Sequence, residues 1–317
     1  SSERLRCSII ASIEFVKAFF LALKGFCMGA ADVVPGVSGG TMALILGIYR
    51  ELIDAIKSFN LDWAKALLRF DINRAIRLPH FHFLIPLMIG IFSAVLFFTR
   101  VVSIPKLLET DPELIYGLFF GLIVGSIVVL FQDLKVWSTN LIFALAAGAV
   151  FGFLVVTLVP AETPNATWFI FLCGAIAICA MVLPGISGSF ILLILGKYAY
   201  VLDGIGHFKM NIAIPFALGA ALGLMLFTRL LSWLLHTYER VTMNFIIGIL
   251  IASLWVIWPF QDRAFVMVRE KKRLISSVPV LPEQWSHVWL PFLLAVVGCV
   301  FVIGINAIAS KRVSHEL

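Results

Sequence analysis

Two near-copies of one motif, apolar runs of membrane-span length behind each, and a chain that is 61% hydrophobic but only 13% charged predict the fold class. The prediction is an all-α integral membrane protein built as an inverted repeat, each half one re-entrant helical hairpin followed by three transmembrane helices. The motif runs Val33 to Tyr49 as VVPGVSGGTMALILGIY and again, 149 residues later, Val182 to Tyr198 as VLPGISGSFILLILGKY, with ten of 17 positions identical. Pro35/Pro184, Gly36/Gly185, Ser38/Ser187, Gly39/Gly188 and Gly47/Gly196 are among the matches.

Crossing a hydrocarbon core of about 30 Å takes about 20 apolar residues. Six segments meet that length: Phe81 to Ile104, Glu113 to Phe131, Asn140 to Val159, Ile212 to Leu235, Val241 to Phe260 and Val288 to Ser310. Residues 10–49 and 168–200 are each too long for one span and carry the Pro-Gly break near the middle, which reads as a half-helix in, a turn, and a return on the same side. The similarity continues from PLMIGIFSAVLFFTR (Pro86 to Arg100) to PFALGAALGLMLFTR (Pro215 to Arg229), so a whole half is duplicated. The repeats are expected at 1–160 and 161–317. The first carries an insert over 50–80, whose Leu61, Trp63, Ala64, Leu67 and Leu68 predict one amphipathic helix on the inner surface, and the second a basic insert over 261–286.

Three spans per half is an odd number, so the second half enters from the opposite face. Arg50, Lys57, Lys65, Arg69, Arg74 and Arg77 belong on the cytoplasmic side, as do Arg4 and Arg6 near the start and Lys311 and Arg312 near the end. That puts both termini in the cytoplasm. The insert bearing Arg263, Arg269, Lys271, Lys272 and Arg273 disobeys the rule, since the same topology sets it outside. The net charge of +6 reads as topology signal and attraction to anionic lipid headgroups, and no nucleic-acid partner is expected. Cys7, Cys27, Cys173, Cys179 and Cys299 lack metal-ligand spacing, and neither a metal nor a cofactor is expected.

A helix begins after each break, and its first N–H groups have no partner within it. Ser38 and Ser187 are natural caps, and Gly36, Gly39, Gly40, Gly185 and Gly188 allow a ligand close to bare backbone, with Thr41 and Ser189 beside them. Two such N-termini meeting at midplane would form a donor-rich pocket for an anion such as phosphate. Arg100 and Arg229 end the matched Phe-Thr-Arg segments and are the expected guanidinium ligands. Asp32, with Met181 as its counterpart, breaks the symmetry; it is read as a partner of Lys24 or Arg229, or as the carrier of a coupling proton or sodium ion.

The run KGFCMGAADVVPGVSGGTMALILGIY (Lys24 to Tyr49), with the Phe-Thr-Arg segments and PGISGS, resembles the bacterial PopT family of undecaprenyl-phosphate translocases over nearly the whole chain. The resemblance implies a flippase of the bacterial cytoplasmic membrane that returns undecaprenyl phosphate from the outer to the inner leaflet, recycling it for peptidoglycan and other envelope polymers. It places the family motif on Lys24, Asp32, Pro35, Gly36, Ser38, Gly39, Gly40 and Thr41, and its second copy on Pro184, Gly185, Ser187, Gly188 and Ser189. Phe190 stands where the first copy has Thr41.

Two other classes are weighed. The Gly-x-Ser-Gly runs match rhomboid proteases, but His80, His82, His207, His236, His287 and His315 fall in loops, span ends or the tail, so no buried base faces either serine and no enzyme is expected. A small-anion channel or exchanger would use the same pocket, sealed from lipid where a lipid carrier needs a lateral opening.

Overall fold

The computed structural model describes residues 2–34, 36–102, 107–108, 110–133, 138–158, 163–268, 271–282 and 288–315. Helix α1 (Ser2–Asp32) leads to the first break; α2 (Gly39–Ile45) and α3 (Tyr49–Lys57) follow, and α4 (Leu61–Leu68) and α5 (Ile72–Arg77) form the insert. Three long helices complete the half: α6 (Phe81–Arg100), α7 (Pro112–Asp133) and α8 (Thr139–Val156). The second half repeats the order with α9 (Thr167–Val182), α10 (Gly188–Ile194), α11 (Tyr198–Gly206), α12 (Met210–Thr237), α13 (Glu239–Ile257) and α14 (Trp289–His315). Among the described residues six helices are long and apolar enough to cross a membrane, and they fall on the six predicted spans.

Equivalent glycines make equivalent contacts in the two halves. A methyl group on Gly25 would strike the Leu87 carbonyl, and one on Gly174 the Phe216 carbonyl; Gly90 and Gly219 likewise sit against Ala22 and Phe171. These pairs put α1 against α6 and α9 against α12 in one register. The remaining spans pair between halves. Gly121 sits on Ala295 and Gly298 on Leu118, joining α7 to α14; Gly248 sits on Leu145 and Gly148 on Phe245, joining α13 to α8. Successive contacts along each pair rise together, Gly25 on Leu87 then Gly29 on Ile91, Gly219 on Phe171 then Gly223 on Ala175, Gly117 on Pro291 then Gly125 on Cys299, and Gly148 on Phe245 then Gly152 on Ile249, so the partners run parallel. Backbones that touch without side chains between them are how small residues hold helices together where no hydrophobic effect separates protein from lipid.

The central helices are α7 and α13, 61% and 50% buried along their apolar windows against 17–22% for the other four spans. Phe92, Leu96, Phe143, Leu154, Leu218, Leu226, Phe292 and Val300 lie exposed on those outer helices, the arrangement a lipid surround stabilises.

Each break is a glycine turn. Gly36 and Gly185 hold φ of +85° and +89°, and the next bends, at Gly47 and Gly196, hold +68° and +62°. Only glycine takes this left-handed backbone without strain, which accounts for all four matched glycines. At the second of the later bends the chain turns 114° between α10 and α11. Helix α9, with 16 residues, rises about 24 Å, short of the hydrocarbon core. Leu192 packs on Cys173 and Ala177, so α10 returns alongside α9 as the hairpin reading expects.

The two inserts carry the remaining elements. Beyond α3, the stretch over 60–79 holds two short helices with Phe70 at φ +54° between them, because Asp71 caps α5 by accepting from the Arg74 N–H at 3.1 Å. In α4, Trp63 and Ala64 are half-buried and Leu67 and Leu68 are exposed. The basic insert contains an antiparallel hairpin of β1 (Gln261–Val268) and β2 (Lys271–Pro279), the described residues' one departure from helix and turn. Its register sets Lys271, Lys272 and Arg273 opposite Val268, Met267 and Val266, at the far end of the hairpin; Arg269 lies outside the described residues.

Candidate functional site

The two glycine turns meet. The Gly185 N–H donates to Thr41 Oγ1 at 2.9 Å, Ser38 Oγ donates to the Met181 carbonyl at 3.4 Å, and the Tyr49 hydroxyl donates to the Val182 carbonyl at 3.1 Å. Val182 ends α9, and its carbonyl is freed by the break that follows, so a partner from the other half satisfies a group that lipid cannot. Both turns rest on α13: a methyl group on Gly36 would lie 3.3 Å from Val256, and one on Gly185 3.2 Å from Ile249 and 3.3 Å from Ser253.

Around this crossing the first half is closed by its own side chains. Ser38 caps α2 by accepting from the Gly40 N–H at 3.2 Å, and the Asp32 carboxylate accepts from the Gly39 N–H at 2.8 Å. Asp32 thus supplies, from the chain itself, the negative group that a helix N-terminus favours. Ser38, Gly39, Gly40 and Thr41 are buried, while Asp32 stays exposed. Among the described residues no ion pair joins Asp32 to Lys24 or Arg229, although Lys24 is half-buried. Pro35 lies outside the described residues.

The second half is arranged differently because Met181 replaces Asp32 and Phe190 replaces Thr41. Ser187 occupies the N-cap of α10 without making the predicted cap bond. Its hydroxyl instead lies 2.8 Å from the Ser189 hydroxyl, which is exposed, and no carboxylate covers Gly188. The backbone at Ser187 (φ −98°, ψ 131°) is that of Ser38 (φ −114°, ψ 132°), so the uncapped end comes from the side chain's engagement with Ser189 and not from the backbone.

Arg100 is exposed and Arg229 half-buried, and neither makes an ion pair or hydrogen bond among the described residues. The parallel registers of α1 with α6 and α9 with α12 carry each arginine to the height of its own half's break. Both are therefore level with the crossing and unspent.

One residue was not singled out from the sequence. Lys197, only 4% exposed, donates from Nζ to the Thr163 carbonyl at 2.6 Å and to Asn165 Oδ1 at 2.8 Å, tying the bend after α10 to the strand of chain that precedes α9. A buried cation stays charged only when hydrogen bonds replace its water. The available signal was the repeat itself, which has Ile48 at this position.

Comparison with known proteins agrees with this picture. The family described as undecaprenyl phosphate translocase-like matches residues 28–275, from the last part of α1 into β2. A polyprenyl-phosphate transporter of Vibrio cholerae is 36% identical over 304 residues, covering 91% of this chain and 96% of its own. A polyprenyl-phosphate transporter of Staphylococcus aureus is 32% identical over 265 residues, covering 77% and 88%. Both are named as transporters and neither as an enzyme. No solved structure matches the chain.

Proposed function

The chain belongs to the undecaprenyl phosphate translocase-like family, and we propose that it carries a polyprenyl phosphate, undecaprenyl phosphate in particular, from the outer to the inner leaflet of the bacterial cytoplasmic membrane. The relatives' names support the substrate. The observation that carries the mechanism is the contact of the two glycine turns through Thr41 and Gly185, because it brings polar backbone from both halves to one point between lipid-facing helices.

A phosphate cannot cross hydrocarbon unless fixed donors replace its water. Arg100 and Arg229, level with the crossing and unpaired, are positioned to supply that charge, and the half-buried Ser187 and exposed Ser189 hydroxyls offer hydrogen bonds. Gly36, Ser38, Gly39, Gly40, Thr41, Gly185 and Gly188 form the floor beneath them. In the first half the floor's donors at Gly39 and Gly40 are already spent on Asp32 and Ser38, so the second half receives the headgroup first. Asp32 then competes with phosphate for the first half. That competition makes it the natural place for a coupling proton or sodium ion.

The inverted topology has independent support. Five residues separate α7 from α8 and one separates α12 from α13, too few to recross the membrane, so each pair runs antiparallel. With α7 antiparallel to α8 and α8 parallel to α13, the equivalent helices α7 and α13 point in opposite directions. Under this reading 1–160 and 161–317 are the two repeats, both termini are cytoplasmic, and the basic hairpin faces outward, where its lysines and arginines gather anionic headgroups.

The test is a thermal shift of the purified protein in detergent. Undecaprenyl phosphate should raise the unfolding midpoint of the wild-type protein, and undecaprenol, lacking the charge, should not. The shift should disappear in Arg100→Ala and Arg229→Ala. Equal shifts with undecaprenol would refute the headgroup site.

A further inference from the structure

Equivalent helices pack equally within each half, but one seam between the halves exists on one side only. Helix α3 lies against α12 of the other half, whereas its counterpart α11 makes no comparable packing against α6 among the described residues and packs on α12 of its own half.

The closed seam is held by polar contacts. Buried Ser232 donates from Oγ to Asp54 Oδ1 at 2.8 Å and accepts from Lys57 Nζ at 3.0 Å. His236 Nε2 lies 3.7 Å from Asp54 Oδ2, Arg50 donates to the Leu235 carbonyl at 3.4 Å, and Arg50 also pairs with Glu239 at the start of α13. On the other side Asp203, the repeat's match to Asp54, is engaged within its own half by Lys209 Nζ at 2.8 Å and His207 Nδ1 at 3.1 Å. Thr-Arg-x-x-Ser also recurs, as Thr228 to Ser232 and Thr99 to Ser103, although Ser103 lies outside the described residues.

A latch formed in one half and held in reserve in its copy is what a two-state carrier built from a repeat requires, because the same sequence elements must close alternately on each face. We infer that the α3–α12 seam, latched by Asp54 and Ser232, is the gate on the face carrying the basic 50–80 stretch, and that it opens as the equivalent α11–α6 seam closes. The inference rests on the transport reading above. Asp54, Ser232 and Lys57 are positioning residues in it: none touches the crossing of the glycine turns.

The test uses the full chain in lipid nanodiscs with spin labels on two equivalent pairs, Ile56 with Leu230 and Ile205 with Val101, each pair singly in its own protein. In the unmodified latch the Ile56–Leu230 distance should be short and the Ile205–Val101 distance long. Ser232→Ala should lengthen the first and shorten the second, each by about 5 Å or more, one helical turn. Asp54→Asn, which keeps the side chain's shape, should do the same if Ser232→Ala folds poorly. Undecaprenyl phosphate should shift the wild-type populations in the same reciprocal sense. If the variants leave both distances unchanged, or if only the Ile56–Leu230 distance responds, the gate is overturned. If the variants act reciprocally and undecaprenyl phosphate does not, the gate stands and the substrate assignment is what fails.

Discussion

The Thr41 hydroxyl accepts a hydrogen bond from the Gly185 N–H at 2.9 Å, across 144 residues of sequence and between two buried turns. It is the shortest of the three bonds that join the two halves at their breaks, and it is not duplicated, since the repeat places Phe190 opposite Thr41.

Thr41→Val keeps the side chain's volume and removes the acceptor. A buried amide left without a partner costs about 1–3 kcal/mol, so the variant should unfold at a lower temperature in detergent, and Thr41→Ser should recover most of the loss. An unchanged midpoint in Thr41→Val would show that water or another group satisfies Gly185.

The helix pairs predict a matched response. Alanine at Gly90 or Gly219 drives a methyl group into a backbone carbonyl of the parallel partner, Ala22 or Phe171. Overpacking of this kind costs about 1–3 kcal/mol. Both variants should lose stability by similar amounts, while Gly304→Ala, with nothing within 4 Å of the new methyl, should behave as wild type.

Arg100 and Arg229 make no bond that their removal would break among the described residues. Arg100→Ala and Arg229→Ala should therefore keep wild-type unfolding midpoints, within about 0.5 kcal/mol, and lose transport of polyprenyl phosphate in reconstituted vesicles. Lysine at either position should restore only part of it, because an ammonium cannot offer two parallel donors to a phosphate. Full transport by both alanine variants would remove them from the site.

Lys197→Met should destabilise the protein by about 1–3 kcal/mol, since it strips the Thr163 carbonyl and Asn165 of their donor. The measurement is again the unfolding midpoint. Proteolysis near residues 163–166 should also accelerate once that tether is gone.

Much of this was written in composition and repetition. Span length and apolar content suffice to locate six helices because every backbone group in lipid must bond within its own segment. The matched glycines mark the turns because positive φ leaves little choice of residue. What the sequence withheld were relationships across the chain. Nothing local says that Asp32 will cap α2 through Gly39, that Ser187 will face Ser189 and leave α10 uncapped, or that Asp54 will reach Ser232 in the other half while Asp203 bonds Lys209 in its own. The residues named for an amphipathic helix, Leu61 to Leu68, do form one helix, and a second follows it because Asp71 caps α5. Lys197 went unremarked because a lone lysine next to an apolar run looks like the end of a span, and only burial distinguishes it.

The most direct test of the account is movement of the lipid itself. Vesicles containing the purified protein and a fluorescent undecaprenyl phosphate analogue, challenged with an impermeant quencher, should show protein-dependent transfer between leaflets that Arg229→Ala abolishes and that free phosphate does not carry. No transfer above protein-free vesicles, together with a conductance for chloride or phosphate, would contradict it and identify the crossing of the turns as an ion pathway.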